Sequence, residues 1–155
     1  MAMKYLGIIA LAAVATVAAA NSSHEPEIAY PTGFRSWQHI SSAYIGEGNP
    51  GFPRYGGIHY IYANDRALTG YRTGTFPLGS VLVFDVHDVK AGPGTIDPTG
   101  RKLVDVMEKR RGGWRFVEFD GDSRTKISVT GDQAVKICAA CHETAKRDHV
   151  FSSFN

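Results

Sequence analysis

The stretch Cys138-Ala139-Ala140-Cys141-His142 constrains this chain more than any other. Two thiols three positions apart stand on adjacent turns of one helix, so both can reach the same flat ligand, and the histidine after them offers an imidazole nitrogen. C-x-x-C-H is the attachment signature of a c-type haem, in which each thiol adds to one porphyrin vinyl group and the histidine binds iron. A thioredoxin-like redox pair would instead open a helix after a strand, early in a βαβ unit. Here the motif lies near the end of the 155-residue chain, with no parallel βαβ pattern before it. A zinc site wants four ligands at paired spacings, and the chain has 2 Cys and no H-x-x-x-H pair. Covalent haem c with its iron is the expected cofactor, held by Cys138, Cys141 and the metal ligand His142.

The other end of the chain supports this. Residues 1–20 read as a signal peptide: Lys4 is the positive n-region, Leu6 to Val17 the apolar run, and Ala18-Ala19-Ala20 the cleavage site. The run is shorter than the roughly 20 residues that span a bilayer. C-type haem is attached after export, so a leader and a haem motif belong together and point to the periplasm. Residues 21–155 suit one haem-binding domain. The 17 basic and 15 acidic residues give a net charge of +2 with no basic face, which argues against nucleic acid. No later run is long and apolar enough to cross a membrane.

With 17 Gly and 7 Pro, the chain favours strands and turns over a helix bundle. Residues 21–33 read as a loose arm. Phe34 and Trp37 are packing residues around a short turn. Strands are expected over 39–45, 58–62, 80–86, 103–108 and 114–120, where β-branched and aromatic residues gather or alternate. The segment Ser80 to Val86 has so few polar positions that it reads as a central strand covered on both faces. Asn64 should cap a helix over 65–72 that stops at Gly74, and Thr130 one running to about His142. Residues 46–57 and 91–100 read as loops. The expected fold is α+β: an antiparallel β-sheet of about five strands with a C-terminal haem-bearing helix. The tail from Asp148 to Phe151 should fold back on the haem edge.

Taken together, these segments resemble the cytochrome P-460 family, including its cytochrome c′-beta branch, over nearly the whole mature chain. The likeness is carried by Phe34-Arg35-Ser36-Trp37, by Tyr62-Ala63-Asn64 and by the run Tyr71-x-x-Gly74-x-Phe76-Pro77-x-Gly79-x-Val81. Val104-x-Val106-Met107, Gly113-Trp114-x-Phe116 and the C-A-A-C-H followed by Asp148 and Val150-Phe151 complete it. The resemblance implies a β-rich homodimer around haem. Hydroxylamine-oxidising members cross-link a Lys to the porphyrin, and at that place this chain has Phe84. Their distal Glu aligns with Val104 and an Arg with His59, so the resemblance implies that both the amine and the proton-transfer carboxylate are missing. Phe84 resembles the capping aromatic of the c′-beta proteins, with Phe52 or Tyr55 as a second cap.

The expected function is therefore that of a periplasmic mono-haem cytochrome with a five-coordinate iron in an apolar distal pocket. It would bind NO or CO, and an electron-transfer role with a redox partner protein is the companion expectation. Without a placed base, worth about 10²–10⁴ in rate, hydroxylamine chemistry would be slow. Two alternatives stay open: a haem oxidoreductase acting on hydroxylamine or NO, and a six-coordinate electron carrier using Met107 or His59. His59 could also be a packing residue. His39, His87 and His149 are expected on the surface, and Arg35, Arg54 and Arg101 are candidates for the haem propionates by charge.

Overall fold

The computed structural model describes residues 27–154; the expected leader with its cleavage site, and residues 21–26 of the expected arm, lie outside the described residues. Six strands follow one another as β1 (Gln38–Ile45), β2 (Gly57–Ala63), β3 (Val81–Gly92), β4 (Thr95–Arg110), β5 (Gly113–Asp120) and β6 (Ile127–Val129). They pair in chain order in one antiparallel sheet. The short helix α1 (Phe52–Tyr55) joins β1 to β2, and α2 (Asp65–Thr73) joins β2 to β3. Residues 131–142 form α3, in which a π-helical stretch, Val135–Ala139, separates the turns Gly131–Ala134 and Ala140–His142.

The α+β class and the C-terminal helix agree with expectation, and several details do not. A sixth strand forms at Ile127–Val129, where the sequence is polar and only three residues long. Residues 91–100 are not a loop: Val89 pairs with Pro98 and Gly92 with Thr95, so β3 and β4 continue as a hairpin well past the sheet body. Regular structure also appears inside 46–57, because Pro53 sits in the first turn of α1, where its missing N–H has no intrahelical partner anyway. The visible part of the expected loose arm is packed: Ile28 is buried, and Tyr30 meets Phe34 and Phe119 edge-on.

The caps divide. Asn64 Oδ1 accepts from the Ala67 N–H at 3.0 Å and from Val81 N–H at 3.1 Å, tying α2 to β3. Gly74 ends α2 in the left-handed conformation, φ 84°, with its N–H on the Gly70 carbonyl. Thr130, by contrast, makes no side-chain capping bond to α3.

Period-2 alternation gives the sheet two different faces. One is filled by Phe34, Tyr62, Val83, Val104, Val106, Val117 and Phe119. The other carries Leu82, Met107 and Trp114, packed with Ala67, Tyr71 and Phe76 from α2 and the turn after it. Further along this second face the packing gives way to a cavity. Central placement of β3 is as expected, with Leu82, Val83 and Val86 buried.

Candidate haem site

Cross-strand register lays out the cavity floor. Ser41, Ile61, Phe84, Asp105 and Glu118 stand opposite one another across β1 to β5. The next row on the same face runs Ala63, Leu82, Met107, Phe116. An irregularity between His39 and Ser41 shifts the edge strand so that Ser41 joins the first row. Helix α3 lies over β5, with Ala134 and Cys138 packed on Val129 and Phe116. Between helix and sheet is a cavity of about 450 Å³. That is within the usual size for a cofactor or ligand pocket.

Cys138, Cys141 and His142 all open onto this cavity, as do Tyr55, His59, Phe84 and Met107. Phe52 does not. It lies in a separate shallow hollow with Tyr44, Pro53 and Lys102, because α1 turns it away from the sheet face that presents Tyr55. Tyr55 and Phe84 meet edge-on at 5.6 Å between ring centroids, and the His59 ring lies tilted against Phe84 at 4.6 Å. Arg54 and Arg101 are engaged elsewhere. Arg54 pairs with Glu118 at 2.6 Å, while Arg101 grips Asp85 at 2.6 Å and Asp122 at 2.5 Å. Arg35 is exposed beside the opposite face. Of the three expected surface histidines, His39 and His149 are exposed, but His87 is buried between Asp85 and the Thr99 carbonyl.

His142 is held in one orientation. Its Nδ1 donates to the His149 carbonyl at 2.8 Å, and since a carbonyl only accepts, the proton is on Nδ1 and Nε2 keeps its lone pair. Phe116 and Phe151 pack against the ring at 5.1 and 5.2 Å. Burial holds the imidazole below its ordinary pKa, which keeps it neutral and fit to bind a metal. The tail does fold back: Val150, Phe151 and Ser152 line the cavity, and the Tyr71 hydroxyl meets Ser152 Oγ at 2.7 Å.

Burial first, then Asp105 and Glu118, push the Cys138 thiol up to about 12. A redox-active C-x-x-C lowers its thiol instead, so the pair is unlike a thioredoxin site. Two polar atoms on the cavity are buried and unpartnered: His59 Nδ1 and Asp105 Oδ1. Burial lowers the His59 pKa. An apolar cavity with two thiols, one free imidazole nitrogen and two orphaned polar atoms fits a haem and leaves groups over for a small ligand.

Asp105 corrects the expectation that the site lacks a carboxylate and is apolar throughout. The resemblance put the missing Glu at Val104, whose side chain lies on the opposite, filled face. The adjacent residue carries a carboxyl group to the cavity. Asp105 stands opposite Glu118, which itself holds Arg54 and accepts from Ser128 Oγ at 2.5 Å. Burial first, then the neighbouring Glu118 charge, raise the Asp105 pKa well above its ordinary value, so this pair of carboxyl groups holds a proton more readily than an exposed Asp does. No spacing rule singles Asp105 out; only the register of β4 does.

No curated protein matches the chain. The family model for Cytochrome P460 matches residues 31–152. That span starts just after the packed Ile28 and Tyr30 and runs to Ser152 on the cavity wall, and so includes the six strands of the described residues and the whole site. The chain belongs to the cytochrome P460 family, and so to the haem- and iron-binding cytochromes.

Proposed function

We propose that this is a periplasmic mono-haem cytochrome in which Cys138 and Cys141 carry haem c covalently, His142 is the axial ligand, and the remaining iron position takes a small neutral ligand such as NO or CO. The observation that carries this reading is that all three side chains of the C-x-x-C-H motif open on one cavity while His142 keeps one nitrogen free. Bound haem supplies an iron that takes diatomic ligands and exchanges single electrons. The protein's part is to hold and to exclude. Phe84 and Tyr55 form an aromatic wall that restricts entry of water, and Met107 adds a polarisable apolar surface. A homodimer is part of the proposal through the family resemblance, and a redox partner protein belongs to it as the companion of electron transfer.

Absorption spectra of the purified protein test it, in the ferric and dithionite-reduced forms, before and after CO and NO. High-spin ferrous c-type bands that move on CO and NO are the expected result. Sharp low-spin bands indifferent to CO would mean that Met107 or His59 occupies the iron and would overturn the gas-binding reading.

A second reading, conversion of hydroxylamine or NO, draws support from Asp105. This carboxyl group can hold a proton at the cavity and pass it toward Glu118, whose partner Arg54 reaches solvent. If that chemistry operates, Asp105→Asn should slow hydroxylamine oxidation by about 10²–10⁴. An unchanged rate would remove this reading and leave ligand binding intact.

A further inference from the structure

Asp148 and His149 are the only non-glycine residues among those described that adopt positive φ, at 45° and 64°. Left-handed backbone is sparsely populated by residues with a Cβ, and two in succession need support. The support converges on Asp148. One carboxylate oxygen takes the Lys109 ammonium at 2.6 Å, and the other accepts from the Phe76 N–H at 2.8 Å. The Asp148 carbonyl accepts from Trp114 Nε1 at 2.7 Å, and Lys109 also sits 5.2 Å from the Trp114 ring centre. Val150 N–H closes the turn on the Arg147 carbonyl at 2.9 Å. The tail is thus pinned at one residue to β4, to β5 and to the turn after α2.

What this turn delivers is the next carbonyl. His149 O is the acceptor for His142 Nδ1, while the His149 side chain itself is exposed. A second partner on a metal-binding imidazole fixes its tautomer and ring plane and raises its basicity. The knot is therefore connected to the metal-facing nitrogen through one peptide unit and one imidazole ring.

We propose that Asp148 is the positioning residue for His142: its bonds to Lys109, Phe76 and Trp114 hold the strained turn that aims the His149 carbonyl at the imidazole, and so set how strongly His142 binds iron. The inference rests on the reading of His142 as axial ligand. It predicts that loosening the turn weakens the iron–imidazole bond without touching either thiol, so covalent attachment should persist while the electronics of the site change.

The test uses holoprotein. Resonance Raman of the ferrous form and a redox titration compare wild type with Asp148→Ala, Asp148→Asn and Lys109→Met. The wild type should show an iron–imidazole stretching band, and Asp148→Ala should move it to lower frequency. Less basic imidazole favours the ferrous form, so the ferric–ferrous equilibrium should shift about tenfold toward ferrous, about 59 mV for a one-electron couple. Asp148→Asn keeps an acceptor for the Phe76 N–H and should recover part of the shift. If Asp148→Ala gives no folded holoprotein, Lys109→Met makes the same comparison with the carboxylate in place. A fall in Tm with band and potential unmoved would overturn the proposal, because Asp148 would then only stabilise the tail. A high-spin, five-coordinate ferrous wild type that lacked the band would remove the axial assignment and this inference with it.

Discussion

The sheet holds two aspartates on opposite faces, Asp85 buried and Asp105 half-buried at the cavity, and their surroundings differ as the faces do. Asp85 is fully buried on the filled side, where Arg101 takes both its oxygens at 2.6 and 3.2 Å and His87 approaches at 3.1 Å. Asp105 lies on the cavity side with Oδ1 unpartnered and another carboxyl as its neighbour. A carboxylate removed from water is stable when paired and raises its pKa when it is not. Asp85 therefore belongs to the architecture: it joins the base of the long β3–β4 hairpin to the sheet. Asp105 is a carboxyl group kept short of partners beside a space meant for something else. Whatever surface Asp105 retains faces that cavity, so its partial accessibility and its deep burial from bulk water describe the same position.

Four substitutions would break or sharpen this contrast. The largest effect should come from Phe119→Ala on the filled face, where Phe119 is 2% exposed. Creating a cavity there should cost about 3–5 kcal/mol, read from denaturant unfolding of the holoprotein. Asp85→Ala should follow at about 3 kcal/mol, because it leaves Arg101, whose side chain is 11% exposed, without its main partner. A negligible loss would mean that Arg101 relaxes to Asp122 and that the filled face is less committed than its bonds suggest.

Phe84→Ala, on the cavity face, should cost only about 1–2 kcal/mol, near half the value for full burial, and should speed CO association in stopped-flow mixing. A cost as large as that at Phe119 would erase the distinction between the faces. The smallest change in stability, under about 1 kcal/mol at low pH, is expected for Asp105→Asn. The folded pKa of Asp105 is raised, so its stabilising share is complete below the unfolded value of about 3.9 and is lost as pH rises through the folded value. The variant has no such loss. Its stability relative to wild type should therefore increase from about pH 4 upward and level off above the folded pKa, in thermal melts across that range. A flat difference would mean that Asp105 is ionised and paired after all.

Much of the architecture was legible because its signals are local. Alternation marked β5 and placed Trp114 and Phe116 on one face and Val117 and Phe119 on the other, as their separate packing clusters bear out. The sparse polarity of Ser80 to Val86 marked a strand covered on both sides. β6 carried no such signal, since three residues cannot display a period and Ile127 and Val129 are held by pairing with Phe119 and Glu118. The hairpin over 89–98 was hidden by Gly and Pro, which usually end strands. Asp105 was missed for a different reason. In a strand a shift of one residue exchanges the faces, so aligning the carboxylate with Val104 assigned it to the filled side. Asp148 lies outside any helix or strand period, and its bonds reach residues 34, 39 and 72 positions away.

The π-helical stretch Val135–Ala139 bears on how insertions and deletions would act in this chain. A π turn accommodates one residue more than the α turn it replaces. Ala134 is already seated against β5 and β6 before the stretch begins, while Cys141 and His142 come after it. Deleting one residue between Val135 and Ile137 would allow an ordinary α turn that leaves everything downstream facing as it does, while inserting one more residue there would turn everything downstream by about 100°, one residue's step around the helix axis. The thiol of Cys141 and the ring of His142 would then rotate out of line with the cavity, even though C-x-x-C-H itself remained intact. The motif fixes the spacing of its members to one another, and the turn between Ala134 and Cys138 fixes where they face.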